Sequence, residues 1–216
     1  MKNEYGEVWL NLGCGIHLLK NFINVDCAFT LQDLQDKSPP FQNSEIDDGA
    51  EFVKADMRYL PFPNNYADYI LSVYSIEHIP LADISLALAE WKRVLKPDGV
   101  IMVVTLDFDN LAREWLAAFV DKPFNKEHYD MVSAGMFGNQ ITDGEYHYAP
   151  FNVPALNHFM LEAGYPYWEI MRYPNGWDAR IDIKGYPVPW GFKMTCGEVH
   201  VKGYKKVPPK EDRGGL

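Results

Sequence analysis

The sequence has few cysteines and no long apolar run. Its three cysteines, Cys14, Cys27 and Cys196, are odd in number and follow no zinc-ligand spacing, which argues against a disulfide framework and against a zinc site. No apolar stretch approaches the roughly eighteen residues of a transmembrane helix, and the first residues lack the pattern of a signal peptide. We therefore expect a cytoplasmic protein with no membrane segment.

Positive charge is also scarce. The chain has 20 Lys and Arg against 30 Asp and Glu, which gives a formal net charge of −10 over 216 residues. Because an acidic surface repels phosphate backbones, this balance disfavours a nucleic-acid partner. The sequence leaves a homodimer open.

Two familiar functional motifs are absent. The histidines show no HExxH or similar ligand spacing, so we expect no catalytic metal. The segment Gly13–Gly15 begins like a dinucleotide-binding fingerprint, but the third glycine of that fingerprint would fall at Leu18. The sequence therefore argues against NAD or FAD as a cofactor.

Short apolar segments alternate with helical patterns along the first 165 residues. Such alternation predicts an α/β fold with helices on the faces of a mostly parallel sheet. The predicted strands are 8–12, 22–26, 52–55, 69–74, 100–106, 167–172 and 198–204, and the predicted helices are 84–95, about 110–119 and 154–163. We expect 28–50, 121–150 and 174–197 to be loops or insertions, and 208–216 to be a flexible tail.

Polar residues follow four of the predicted strands, at Gly13–Gly15, Asp26, Asp56 and Ser75–His78. The carboxyl ends of parallel strands meet at one edge of a sheet, where ligands bind in open α/β folds. We therefore expect these residues to converge on one crevice. Only ten residues separate Gly15 from Asp26, too few for a full helix and a strand, so the first crossover must be short.

An ordered set of segments resembles the successive S-adenosylmethionine (SAM) binding motifs of class I methyltransferases: LNLGCG (10–15), INVD (23–26), ADMRYLPFPNNYADYI (55–70), IEHI (76–79) and EWKRVLKPDGVIMVV (90–104). Their spacing is most similar to small bacterial and phage predicted methyltransferases linked with sugar or glycan modification. FGNQ (137–140), His147 and the segment 156–165 also resemble that subgroup. Over residues 8–205 the resemblance implies one methyltransferase domain, spanning 1–207. It further implies a Rossmann-like, mostly parallel seven-stranded sheet, with an antiparallel last strand and a shortened first crossover.

The resemblance also implies which residues bind the cofactor. The expected set is Asn11, Gly13, Cys14, Gly15, Asp26, Asp56, Met57 and Ser75. In this family the glycine loop holds the aminocarboxypropyl arm of SAM, and the carboxylate matching Asp26 accepts hydrogen bonds from the ribose hydroxyls. Asp56 resembles the acceptor for the adenine amino group, with Met57 packing on the ring. Asn11 stands where many class I enzymes have an acidic residue. The alternatives are a structural turn for the glycines and a loop-ordering role for Asp26.

Three residues are candidates for catalysis: His78, His147 and Asp107. A histidine of near-neutral pKa suits removal of a proton from a hydroxyl, and Asp107 follows the fifth strand closely enough to orient one of the two. His147 lies in a polar loop, 138–148, which we expect to form the acceptor side of the pocket. The alternatives are histidines satisfied by local backbone and, for Asp107, a helix cap.

These features predict a methyltransferase that uses SAM, releases S-adenosylhomocysteine (SAH) and methylates a hydroxyl of a sugar or another small polar acceptor. The polar, aromatic loop suits a sugar, because rings stack on its C–H faces while amides bind its hydroxyls. Other interpretations stay open: a SAM-binding protein without catalysis, a methyltransferase acting on a protein or RNA, and an enzyme that uses SAM for a different transfer.

Overall fold

Nine strands and five helices form the part of the chain that the computed structural model describes, which is residues 2–37, 41–120, 122–141, 144–173 and 197–207. The strands are β1 (Trp9–Leu12), β2 (His17–Leu18), β3 (Ile23–Asp26), β4 (Glu45–Ile46), β5 (Glu51–Lys54), β6 (Ala67–Val73), β7 (Leu95–Leu106), β8 (Tyr167–Tyr173) and β9 (Glu198–Tyr204). The helices are α1 (Leu31–Asp36), α2 (Ile84–Val94), α3 (Phe108–Phe119), α4 (Lys126–Phe137) and α5 (Val153–Glu162).

Seven of the strands form one sheet, in the order β5-β3-β1-β6-β7-β9-β8. The pairs from β5 to β7 are all parallel, whereas β9 runs antiparallel to both of its neighbours. The expected α/β fold, a mostly parallel sheet with an antiparallel last strand, is therefore confirmed. Its order reverses direction at β1, so the crevice for a ligand lies at the carboxyl ends of β1 and β6.

The first crossover is short, as predicted. Between β1 and β3 the chain forms turns and the two-residue strand β2, and this stretch contains no helix. β2 pairs in parallel with β4 in a separate small sheet, with His17 opposite Glu45. Leu18 of β2 packs with Cys14, Phe29 and Leu34 in a small apolar cluster, so a minor core stands where a crossover helix would otherwise pack.

Apolar side chains cover both faces of the sheet. On one face, Leu10 and Leu12 of β1 are fully buried with Trp91 of α2 and Met160 of α5. On the other face, Trp9 belongs to a second buried cluster. Successive side chains of a strand point to opposite faces, and burial on both faces is typical of parallel strands. Because both faces of the sheet are covered, we look for ligand-binding side chains in the loops at its carboxyl edge.

Three segments differ from the sequence-based expectation. The segment 28–50, predicted to be a loop or insertion, contains helix α1, which Thr30 caps, and the short strand β4. Helix α4 lies within 121–150, which was predicted to be irregular; its first residues are polar, but Val132 and Gly135 are buried and Asn125 caps its start by accepting from the His128 N–H. β7 begins at Leu95 and not at Val100, because 95–99 continue alongside β6 through a register irregularity.

Two other predictions concern residues outside those that the structure describes. Most of the expected insertion 174–197 and all of the expected tail 208–216 lie there. Among the helices that the structure describes, none is both long and apolar enough to cross a membrane.

Candidate functional site

The glycine loop after β1 has two glycines in the left-handed region, with φ of +64° at Gly13 and +53° at Gly15. Gly13 also has no room for a side chain, since an added Cβ would lie 2.3 Å from Cβ of Ser75 and 2.9 Å from Cε of Met57. At Gly15 an added Cβ would meet no atom within 4 Å. The loop is therefore packed tightly at Gly13 and opens onto free space at Gly15.

Asp26, at the end of β3, fastens this loop. Its Oδ2 accepts a hydrogen bond from the Gly15 N–H at 3.0 Å, and its Oδ1 accepts one from the Ala28 N–H at 2.9 Å. The Val25 carbonyl accepts from Gly13 and Cys14 N–H groups at 2.8 and 3.1 Å. The carboxylate stays partly exposed, so its remaining lone pairs are accessible to a ligand.

Ser75 and Cys14 pack against the loop from within. The buried Ser75 hydroxyl bonds the Leu12 carbonyl at 3.0 Å and lies 2.6 Å from the Ser72 hydroxyl. The Cys14 side chain is buried in the small cluster with Leu18, and burial raises the pKa of its thiol. Both predicted cofactor residues thus support the loop with their side chains.

Asn11 belongs to a buried amide network. Its Nδ2 donates to Oδ1 of Asn24 at 2.9 Å, directly across the β1–β3 pairing. Nδ2 of Asn24 donates in turn to the carbonyls of Leu19 and Glu51 at 3.0 and 2.9 Å. The network joins β1, β3 and β5, so the amide of Asn11 is used to tie the sheet together at the position where a cofactor contact was predicted.

Asp56 is held by an arginine that sequence analysis did not single out. The Arg58 guanidinium binds both carboxylate oxygens, with Nη2 2.7 Å from Oδ2, and its Nη1 contacts Oδ2 of Asp83 at 2.6 Å. These hydrogen bonds hold the pKa of Asp56 below its usual range. The indole of Trp91 donates to the Met57 carbonyl at 2.8 Å, so the turn after β5 is anchored to α2.

A second group of polar residues follows β6, in a 3₁₀ turn spanning Ile76–His78. Glu77 is only 2% exposed. Its Oε2 accepts from the Thr105 hydroxyl at 3.0 Å, and its Oε1 has no hydrogen-bond partner among the described residues. Burial raises the pKa of this carboxyl. Sequence analysis placed the stretch Ser75–His78 at the crevice but gave Glu77 no role of its own, because nothing in the local pattern shows that it is buried.

The structure brings the two predicted histidines together. The rings of His78 and His147 have centroids 4.8 Å apart at an angle of 71°. Nδ1 of His78 lies 3.0 Å from the Tyr146 carbonyl, and Nδ1 of His147 lies 3.0 Å from the Gly135 carbonyl. A carbonyl only accepts, so each Nδ1 carries a hydrogen, and in the neutral imidazole Nε2 is then the nitrogen with the lone pair.

Burial, followed by the nearby His78, lowers the pKa of His147 to about 4, against an opposing effect of the Gly135 carbonyl. The ligand atoms of Glu77, His78 and His147 all lie within 4.8 Å of one another. A cavity of about 10 Å³ lies beside them, lined by Glu77, Thr105 and His147 among others. This is about the space that one water molecule occupies.

The loop 138–148 reaches the cluster by folding back on α4. Gly138, at φ +80°, lies so close to the returning strand of the loop that an added Cβ would stand 1.6 Å from the Glu145 carbonyl oxygen. The backbone N–H groups of Tyr148 and Ala149 then donate to the Glu77 carbonyl at 2.8 and 3.3 Å. These contacts set His147 beside His78. Residues 142 and 143 of this loop lie outside the described residues.

Asp107, the third catalytic candidate, is fully buried at the start of α3. It is the N-cap of that helix, where its Oδ1 accepts from the Asp109 N–H at 3.2 Å. From β7, Thr105 reaches the group formed by Glu77, His78 and His147, because its hydroxyl donates to the Glu77 carboxylate.

Residues 10–103 match the methyltransferase domain family. A mitochondrial arginine hydroxylase from Rattus norvegicus is 25% identical over 186 residues, which are 82% of this chain and 49% of that protein. A sterol 24-C-methyltransferase from Pneumocystis carinii (strain B80) is 29% identical over 213 residues, 93% of this chain and 48% of that protein. The chain thus spans about half the length of these curated relatives.

Solved structures share the fold. A SAM-dependent methyltransferase from Thermotoga maritima has a TM-score of 0.54 at 17% identity, over 93% of this chain and 82% of that chain. A 1,6-didemethyltoxoflavin-N1-methyltransferase from Burkholderia thailandensis, with bound 1,6-didemethyltoxoflavin and SAH, has a TM-score of 0.52 at 15% identity, over 91% and 70%. The methyltransferase domain match thus covers residues 10–103, and the chain shares the fold of class I methyltransferases.

Proposed function

We propose that this chain is a SAM-dependent methyltransferase that methylates a hydroxyl group of a sugar or of another small polar acceptor. One observation carries the proposal. Two glycines at positive φ end β1, and the carboxylate that ends β3 holds the second of them by its backbone N–H. This pair lies at the point where the strand order reverses, which is where open α/β sheets bind their ligands.

The residues present at this edge fit SAM. The free space beside Gly15 and the partly exposed carboxylate of Asp26 offer the loop and the acceptor that the aminocarboxypropyl arm and the ribose require. Asp56 and Met57 would face the adenine. When bound, SAM supplies a methyl group on a positively charged sulfonium, which passes to a nucleophile as the C–S bond breaks and leaves SAH.

The acceptor would lie against the cluster of Glu77, His78 and His147. Ser75 immediately precedes its 3₁₀ turn, and the Ser75 hydroxyl donates to the last carbonyl of β1, so the start of this turn lies next to the glycine loop in space. Each imidazole keeps a lone pair on Nε2. A lone pair there either takes the hydroxyl proton or holds an ion that lowers the pKa of the hydroxyl. Both routes make the acceptor oxygen the nucleophile.

Asp107 has a positioning role in this proposal. By capping α3 it fixes the end of β7, and Thr105 of the same strand end holds the carboxylate of Glu77.

The surroundings of His147 support this choice of acceptor class. Tyr146 and Tyr148 flank it in sequence, are 38% and 51% exposed, and have ring centroids 6.3 Å apart. Exposed tyrosines next to polar groups suit a sugar, whose C–H faces stack on rings while its hydroxyls form hydrogen bonds. The family match ends at residue 103, so His147 and its flanking tyrosines belong to the part of the chain that the match does not cover.

The test is methyl transfer itself. The purified chain is incubated with methyl-labelled SAM and a panel of free and nucleotide-linked sugars, and products are identified by mass spectrometry. The proposal predicts labelled methyl on a sugar oxygen, abolished in His147→Ala and retained in His158→Ala, an exposed histidine on α5. Labelled methyl on carbon would overturn the hydroxyl acceptor. SAH binding without transfer to any acceptor would favour the SAM-binding protein without catalysis.

A further inference from the structure

Three side chains that can bind metals meet at the acceptor side of the site. Glu77 and His78 come from the turn after β6, and His147 comes from the loop after α4, 69 residues later in the chain. Each side chain offers one atom able to bind a metal, a ring nitrogen or a carboxylate oxygen, and these three atoms lie within 4.8 Å of one another. We propose that Glu77, His78 and His147 together bind one divalent transition-metal ion. The proposal that an ion binds here does not depend on the proposed function, whereas the catalytic role of that ion does.

Both histidines are oriented as metal ligands are. A metal-bound histidine almost always donates its other ring N–H to a carbonyl, a carboxylate or a water, which fixes the tautomer and the ring. Here each Nδ1 donates to a backbone carbonyl at 3.0 Å, that of Tyr146 for His78 and that of Gly135 for His147. Each Nε2 is therefore the atom with a free lone pair, as an imidazole ligand needs.

The carboxylate of Glu77 supplies the second, independent observation. It is 98% buried, one of its oxygens is held by Thr105, and the other has no partner among the described residues. Leaving a buried carboxylate oxygen without a partner is costly, because the oxygen loses water and gains nothing. A bound cation removes that cost. The cavity beside Glu77 and His147, about 10 Å³, has room for a ligand of atomic size.

The donor set selects the kind of ion. Two imidazole nitrogens and one carboxylate oxygen suit Zn²⁺ and its first-row neighbours, whereas Mg²⁺ and Ca²⁺ prefer sites made of oxygen atoms. Around a tetrahedral ion with bonds of about 2.1 Å, ligand atoms stand roughly 3.4 Å apart. Ion binding would therefore bring the three ligand atoms up to about 1.4 Å closer together.

Three protein ligands leave at least one coordination position open, which is the arrangement of catalytic zinc sites. An ion held there would lower the pKa of an acceptor hydroxyl, so that the proton would pass to solvent and the electron pair would stay on the oxygen that attacks the methyl group. With an ion bound, both histidines would be ligands, and neither would serve as the base.

The experiment uses the full chain, stripped of metal with a chelator that is then removed. Co²⁺ is titrated while visible absorption is recorded, since Co²⁺ held by nitrogen and oxygen ligands absorbs visibly, and Zn²⁺ binding is measured by calorimetry. We expect one ion per chain and no binding of Mg²⁺. His78→Ala and His147→Ala should each weaken binding at least about 100-fold, the upper end of the loss caused by removing even a second-shell partner.

The matched control is His158→Ala. His158 is exposed and also pairs with a carboxylate, since its Nε2 lies 3.3 Å from Oε1 of Glu162, but this pair has one imidazole and not two. Its removal should leave the Co²⁺ spectrum and the affinity for Zn²⁺ unchanged. Glu77→Gln tests the carboxylate, and circular dichroism shows whether this buried variant folds. The two histidine variants decide the question if it does not.

SAH binding, measured on the same samples, separates this proposal from the proposed function. SAH bound without any Co²⁺ or Zn²⁺ site would overturn the metal proposal and leave the methyltransferase in place. Equal Co²⁺ binding by the wild type and by both histidine variants would overturn it too, because the ion would then be held elsewhere. A Co²⁺ site that His78→Ala abolishes, in a chain that does not bind SAH, would support the metal site and contradict the proposed function.

Discussion

The sharpest prediction compares alanine at the two glycines of the first loop. Gly13→Ala and Gly15→Ala both force an L residue to positive φ, which costs roughly 1 to 2 kcal/mol in each case. Only at Gly13 does the new Cβ collide, at 2.3 Å from Cβ of Ser75. Overpacking of this kind adds roughly 1 to 3 kcal/mol. Gly13→Ala should therefore lower the free energy of unfolding clearly more than Gly15→Ala.

In ligand binding the order should be reversed: among folded proteins, Gly15→Ala should lose more SAH affinity than Gly13→Ala does. The Cβ of Gly15→Ala projects into the free space where we place the cofactor, so SAH affinity should fall at least about tenfold, or about 1.4 kcal/mol. Stability is measured by urea denaturation and affinity by calorimetry. Wild-type SAH affinity in Gly15→Ala would refute the assignment of that space. Equal stability of the two variants would refute the packing argument.

Three further outcomes follow from the contacts. Gly138→Ala should displace the loop 138–148, because the new Cβ would collide with the Glu145 carbonyl. Methyl transfer to the acceptor should then be lost, while SAH affinity stays within about threefold, under 1 kcal/mol. If a folded variant lost both, the acceptor side would not be separate from the cofactor site. Asn24→Ala should lower the urea midpoint by more than Asn43→Ala does, since the side chain of Asn24 on β3 hydrogen-bonds to β1 and β5 whereas Asn43 is exposed; equal midpoints would remove the network's role. Arg58→Gln should raise the pKa of Asp56, whose folded value Arg58 depresses. The stability from this pair is present above the unfolded pKa of about 3.9 and is lost as pH falls through the folded value. The variant lacks this contribution, so acid should unfold it at a higher pH than the wild type. Identical curves of stability against pH would contradict this.

Much of the sheet could be predicted from the sequence because its strands are apolar runs ended by glycine or by a carboxylate. The segments before Gly13, Asp26 and Asp56 show this pattern, and each is a strand in the structure. Helix α4 could not be predicted in the same way. Its buried residues are few, and Gly135 among them packs closely against Leu111 of α3, a reason for a glycine that only tertiary structure shows.

In the site, too, contacts between sequence neighbours could be predicted, whereas contacts between distant residues could not. Asp26 lies at a strand end and is fixed by its neighbours in sequence, so its place was predictable. The ion pair from Arg58 to Asp83 and the hydrogen bond from Thr105 to Glu77 join residues 25 and 28 positions apart. No local spacing reveals such contacts. The same holds for the meeting of His78 and His147, which depends on the backbone of the returning loop.

The most direct test of the central claim is calorimetric titration of the purified chain with SAH, beside Asp26→Ala and the control Asp98→Ala. The side chain of Asp98 is 89% exposed, and this residue lies in the first part of β7, at the opposite edge of the sheet. Loss of a charged hydrogen-bond acceptor should weaken binding roughly 10- to 100-fold in Asp26→Ala, while Asp98→Ala binds as the wild type does. Equal SAH affinity in all three proteins, or no SAH binding by the folded wild type, would contradict the account.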